Sequence, residues 1–251
     1  SPVRRYLAAV APPLRDERRF SCTLSGMTTV DAQPHSMTTP RVAAFDRWIR
    51  GRLADLNTEL KTLYARQQNR SNVEGVGDAL KQCLLDEGRE LIIPLIEEGN
   101  TDEGFDVTFE LLGNVGYYMA ACRRHEITEP SRERTSPLVE ASALALHLGA
   151  SVGTVPRFVT SHMETFNRAV NGVYRTFTHG RDEKIFLDYN TRSAFAYMRA
   201  ADALGRIHPM GVSHPAADDL LSDAKRALED ALALNTELGA LLDVDEFFFS
   251  E

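Results

Sequence analysis

The stretch that decides the fold is Arg41-Val-Ala-Ala-Phe45-Asp-Arg-Trp48-Ile49-Arg-Gly-Arg-Leu53-Ala-Asp-Leu56-Asn-Thr-Glu-Leu60-Lys-Thr-Leu63. Its large apolar residues return at three- and four-residue steps, which places them along one face of a long helix. The same period recurs downstream. Val76, Leu80, Cys83, Leu84, Leu91, Leu95 and Ile96 predict a second helix that Pro94 limits or kinks and Gly99-Asn100 ends. Phe109, Leu112, Val115, Tyr118, Met119 and Cys122 predict a third, and Ser136-Pro137 opens a fourth as N-cap and first helical residue. Pro156 and Pro215 mark similar starts, and Leu220, Leu221, Ala224, Ala227, Leu228, Leu232, Leu238 and Leu241 form the last stripe. No alternating pattern is flanked by hairpin dipeptides, so the chain is predicted to be all-α. Residues 1–40 lack any sustained period and are expected to be a poorly structured N-terminal extension, with a single helical domain over 41–251.

Bulk properties narrow the chemistry. With 251 residues, 43% of them hydrophobic and 25% charged, the chain reads as an ordinary globular protein. A net charge of -8 argues against nucleic acid and anionic membrane as partners. Three widely spaced cysteines, Cys22, Cys83 and Cys122, offer neither a disulfide framework nor a zinc site. No apolar run reaches the roughly 18 residues that span a bilayer, and a cytoplasmic location is expected. The totals are compatible with a homo-oligomer.

Three motifs imitate catalytic signatures. Gly149-Ala-Ser151-Val-Gly153 has the spacing of a nucleophile elbow, but the residues before it form a helix, so a glycine-terminated helix end is expected. His125-Glu126 lacks the second histidine of a zinc helix and, beside Arg123 and Arg124, is expected to be a cation at a helix C-terminus. Gly75-Val-Gly77 lacks the strand and third glycine of a dinucleotide loop.

More informative is Pro156-Arg-Phe158-Val-Thr160-Ser-His162-Met-Glu-Thr-Phe166, in which His162 lies one helical turn from each phenylalanine. Such a ring is either a satisfied core histidine or a proton carrier in an apolar pocket. Asp188-Tyr-Asn190-Thr-Arg192-Ser193-Ala-Phe reads as a second polar-aromatic helix start, functional or merely capped. Phe247-Phe248-Phe249 would ordinarily be core, yet stands at the end of the chain.

The blocks Leu112-Gly-Asn-Val-Gly-Tyr-Tyr-Met-Ala-Ala-Cys-Arg-Arg-His125-Glu, Tyr174-Arg-Thr-Phe-Thr, Asp182-Glu183 and Phe186-Leu-Asp-Tyr-Asn-Thr-Arg-Ser, with the segment around His162, resemble the heme-dependent L-tyrosine hydroxylases of lincomycin and pyrrolobenzodiazepine pathways. They are more distantly similar to monodechloroaminopyrrolnitrin synthase and indoleamine 2,3-dioxygenase, and the resemblance covers about residues 41–250. It implies a helical bundle of the indoleamine/tryptophan 2,3-dioxygenase kind, binding heme b through a histidine and hydroxylating L-tyrosine at the ring 3-position to L-DOPA with hydrogen peroxide, in antibiotic biosynthesis. It also implies His162 as the catalytic base, and Thr160, Phe166, Asn190, Arg192, Ser193 and Phe248 as substrate contacts. The arginine and the proximal histidine of better-known relatives would fall past Glu251, so the domain is expected to be shortened at its C-terminus. Otherwise His208 or His214 must serve as iron ligand, His214 having a capping-turn role as its alternative, or the chain binds no heme. The competing class is a heme-free helical module that binds a small molecule or a partner.

Overall fold

Thr39 and Pro40 start the first helix as their chemistry dictates. The Thr39 hydroxyl accepts the Val42 amide at 3.3 Å, and Pro40 fills a first-turn position where no N–H is needed. The computed structural model describes residues 39–98, 104–127 and 138–242, all within one unit, Ala32–Glu251. Helix α1 is Pro40–Trp48, followed without a break by a wider π-turn, Ile49–Leu53, and by α2, Ala54–Ala65. Phe45, Ile49, Leu53, Leu56 and Leu60 are fully buried, so the predicted stripe is the inner face of this continuous element.

Helix α3, Asp78–Glu98, runs through Pro94 rather than stopping there. Helix α4, Phe105–Arg124, is buried on nearly every side, from Thr108 through Cys122, and is the central rod of the bundle. Helix α5, Val139–Val152, ends at Gly153 with φ of 68°, the left-handed stop that the glycine predicted. Ser151 is therefore part of a helix end, not of a nucleophile elbow. Ser136 and Pro137 lie outside the described residues. α4 packs on α5, and α3 packs on α1, α2, α4 and α5.

The segment from Pro156 departs from expectation. Only α6, Thr160–Met163, is helical, and irregular chain with an isolated Val170–Val173 bridge leads to α7, Arg181–Met210. Among the described residues there is no strand, so the architecture is all-α. Asn190, Arg192 and Ser193 lie inside α7 and not at its start, because Asp182 and Glu183 already supply the acidic first turn. Helix α8, Ala217–Leu241, pairs with α7. Its buried seam is Leu220, Ala224, Ala227, Ala231 and Leu238, whereas Leu221, Leu228, Leu232 and Leu241 face outward, correcting the predicted stripe. Small alanines let the two helices approach closely, which is why they and not the larger leucines occupy the seam. No described helix is long and apolar enough to cross a membrane.

One contact tests this packing. A side chain on Gly88 of α3 would enter the space taken by the Tyr118 ring of α4, whose hydroxyl donates to the Leu85 carbonyl at 3.0 Å and so resists displacement. Gly88→Ala is therefore expected to lower stability by about 1–3 kcal/mol in denaturant titrations, despite the better helix propensity of alanine.

Candidate functional site

The irregular chain after α6 is held by a buried charge. Arg175 is 2% exposed, and its guanidinium donates to Asp46 of α1 at 3.1 Å, to Glu110 of α4 at 3.3 Å and to the Phe166 carbonyl at 3.3 Å. Its backbone is fixed as well, since Asn167 accepts the Arg175 amide at 2.9 Å and donates to its carbonyl at 2.7 Å. Arg50, on the π-turn, joins Asp46 at 2.6 Å and donates to the carbonyls of Arg168 and Val173. Burial pushes the Asp46 carboxyl up, but Arg175 and Arg50 outweigh it and hold the group below the usual carboxylate range.

Against this frame the chain passes close over α4. A Cβ on Gly113 would stand 3.0 Å from His162 Cδ2, and one on Gly116 would stand 2.6 Å from the Phe158 ring, so the two glycines form the shelf on which those rings lie. His162 is 1% exposed, with its ring centroid 4.1 Å from that of Phe109 and 5.7 Å from that of Phe158. Its Nδ1 accepts the Val159 amide at 3.2 Å, which leaves the proton on Nε2. That Nε2 has no hydrogen-bond partner. The backbone of Phe109 favours the charged ring. Burial and the Arg175 charge prevail and lower the His162 pKa to about 4. The ring is neutral at pH 7.

Next to this nest is a cavity of about 560 Å³, lined among others by Asn57, Lys61 and Tyr64 of α2, by Arg123, Arg124 and His125 at the end of α4, and by Phe158, Met163, Phe177 and Glu183. His125 is not the exposed helix-end cation expected from its arginine neighbours. It is 4% exposed, accepts the Tyr64 hydroxyl at Nδ1 (2.9 Å) and donates from Nε2 to Asn57 Oδ1 (2.8 Å). Burial lowers its pKa to about 3, with Arg124 and Lys81 adding to the effect. The same burial pushes the Tyr64 phenol up to about 12. Glu183 holds the start of α7 to this region by accepting the amides of Phe177 and Thr178 and the Thr178 hydroxyl.

The residues expected to form a site are only partly brought together. His162 and Phe166 share one aromatic nest through Phe109, whose centroid is 4.8 Å from that of Phe166. Thr160 is exposed at the first position of α6. Asn190 donates to the Phe186 carbonyl of its own helix, Arg192 pairs with Asp188 and covers the Tyr189 ring, and Ser193 donates to Asn235 within the α7–α8 seam. His214 stands exposed at the turn before α8, its Nδ1 accepting the Ala216 amide at 3.2 Å, the geometry of a capping turn. Phe248 lies outside the described residues. Asn57 and Tyr64 were missed, although Asn57 interrupts the apolar face between Leu53 and Leu60 and so carried a readable signal.

An all-α bundle with a neutral-histidine nest beside an aromatic-walled cavity has the lining of a small-molecule site. The family model of monodechloroaminopyrrolnitrin synthase PrnB matches residues 39–250. The chain belongs to that family, and so to the heme aromatic oxygenase superfamily. No curated protein matches the chain.

Family enzymes are heme-dependent, which makes the histidines the test of fit. Of those described, only His125 lines the cavity, and both of its nitrogens are bonded. His162 is closed in by Phe109 and Gly113, His179 pairs with Asp55, and His147, His208 and His214 are exposed elsewhere. Among the described residues no histidine turns a free ring nitrogen to the cavity, and they do not fit an axially ligated heme there.

The two depressed histidines give a pH signature. Their folded pKa values, about 3 and about 4, lie below the 6.5 of the unfolded chain. Above 6.5 neither state is protonated and stability is unaffected. Below it the unfolded chain takes up protons that the native one refuses, so acid destabilises. The expected loss, on falling from 6.5 towards 4, is about 1.4 kcal/mol per pH unit for each ring. Denaturant titrations across that window should show it, with a shallower slope in His125→Gln.

Proposed function

We propose that this chain is a heme-dependent oxygenase that hydroxylates L-tyrosine at the ring 3-position to L-DOPA, with hydrogen peroxide as oxidant, in the biosynthesis of an antibiotic-type secondary metabolite. The observation that carries the reading is the cavity in which Phe158, Phe177 and Tyr64 meet charged side chains of both signs, a lining suited to an aromatic amino acid. The resemblance from Leu112 to Glu126 supports it. The reaction balances without a further reductant: one peroxide oxygen enters the ring carbon–hydrogen bond, and the other leaves as water. No described histidine lining the cavity has a free ring nitrogen for heme b, and the part of the cavity's own residues is to bind and orient the phenol.

His162 is assigned to the phenol end. Its neighbours Phe158 and Met163 line the cavity, so His162 stands behind that wall, and contact between the phenol and Nε2 requires the Phe158 ring to move. In its present tautomer His162 steadies the phenol oxygen as a donor. To act as a base it must first move its proton to Nδ1, giving up the bond from Val159. Such help is worth about 100- to 10,000-fold.

With hemin, peroxide and L-tyrosine supplied, L-DOPA measured by chromatography and mass spectrometry is expected to fall at least about a hundredfold in His162→Ala, and much less in His162→Gln, which keeps a donor. Near-normal turnover in the alanine variant would make His162 a packing residue. Oxygenation of a different aromatic in place of L-tyrosine would replace the substrate assignment.

A further inference from the structure

At its α2 end the cavity carries a donor for which the described chain has no acceptor. Asn57 lines the cavity, is 4% exposed, and its Nδ2 has no hydrogen-bond partner. Leaving a buried amide N–H unmet costs about 1–3 kcal/mol. The amide stands with its oxygen towards His125 Nε2, the arrangement that goes with the tautomer in which Tyr64 donates to Nδ1 and the His125 proton sits on Nε2. The nitrogen is left over. Three cations, Lys61, Arg123 and Arg124, and two carboxylates, Glu126 and Glu183, line the same cavity, Glu183 accepting from Phe177 and Thr178. By formal charge the lining carries one more positive than negative group, which suits an anion.

We infer that the cavity binds a phenolic carboxylate, with a carboxylate oxygen accepting from Asn57 Nδ2 and the ring lying among Phe158, Phe177 and Met163. Tyr64 and His125 are positioning residues, which hold the Asn57 amide the right way round. Their relay is insensitive to pH near neutrality because His125 stays uncharged. The inference rests on the proposed function only for its choice of an aromatic ring, since Asn57 and the cations select the acid group alone.

Equilibrium calorimetry on the purified chain tests it with two ligands of the same ring, 3-(4-hydroxyphenyl)propionate, which has only the acid, and tyramine, which has only the amine. The propionate is expected to bind at least about tenfold more tightly, the low end for a hydrogen bond to a charged group. Asn57→Asp keeps an acceptor for His125 but turns a carboxylate towards the ligand, and should abolish that preference. The exposed Arg123 provides a second variant, Arg123→Gln, in which weaker propionate binding is expected even if Asn57→Asp does not fold. Equal binding of the two ligands overturns the inference, as does unchanged propionate affinity in either folded variant. L-DOPA formation unaltered in Asn57→Asp would remove this site and leave the proposed function standing. Carboxylate-selective binding without hydroxylation would do the reverse.

Discussion

Most of what lies around the cavity depends on the burial of one guanidinium. An arginine in a core must have its donors met, because a stripped charge costs more than packing returns. Arg175 meets them with Asp46 from the first helix, Glu110 from the central helix and the carbonyl of Phe166 from its own segment. Three pieces of chain far apart in sequence are thereby tied to one point. The segment between α6 and α7 has few backbone bonds of its own, so this charge and Asn167 take the place of a ladder. Losing one partner of such a cluster typically costs about 3–5 kcal/mol, and the loss would fall on the segment that carries Phe166 and Phe177.

A second constraint works by subtraction. Gly113 and Gly116 are three apart on α4 and so share a face, and the missing side chains are what let His162 and Phe158 lie against the helix. Close approach then excludes water from His162, and burial keeps that ring neutral, as burial at the end of α4 keeps His125 neutral. The two nevertheless differ in kind. His125 has both nitrogens satisfied and serves to orient a neighbour, whereas His162 keeps an N–H without a partner. Burial sets the charge state, and hydrogen bonding sets what each ring can offer.

Much of the fold was legible in the chain. The stripe from Phe45 to Leu60, the central helix through Gly113 and Gly116, the glycine stop at Gly153 and the turn at His214 follow from period and local backbone chemistry, which short windows contain. Errors arose where a local pattern had two outcomes. Asn190 to Ser193 resembles a cap, but the acidic pair upstream had already begun the helix. The aromatics around His162 have helical spacing, yet only one turn forms, because Arg175 and Asn167 capture the backbone that would have continued it. In α8 the alanines displaced the leucines from the seam, since closeness to α7 mattered more than hydrophobicity.

The sequence by itself determined that this is an all-α protein, where its helices run, and, through the blocks of residues it shares with a known family, the kind of chemistry to expect. Tertiary structure alone decided which polar groups meet. Asp46, Glu110 and Arg175 are separated by as many as 129 positions, and Tyr64, Asn57 and His125 by up to 68. No periodicity spans such distances, and the charge of a histidine follows from the water around it, which is known only once the chain has closed.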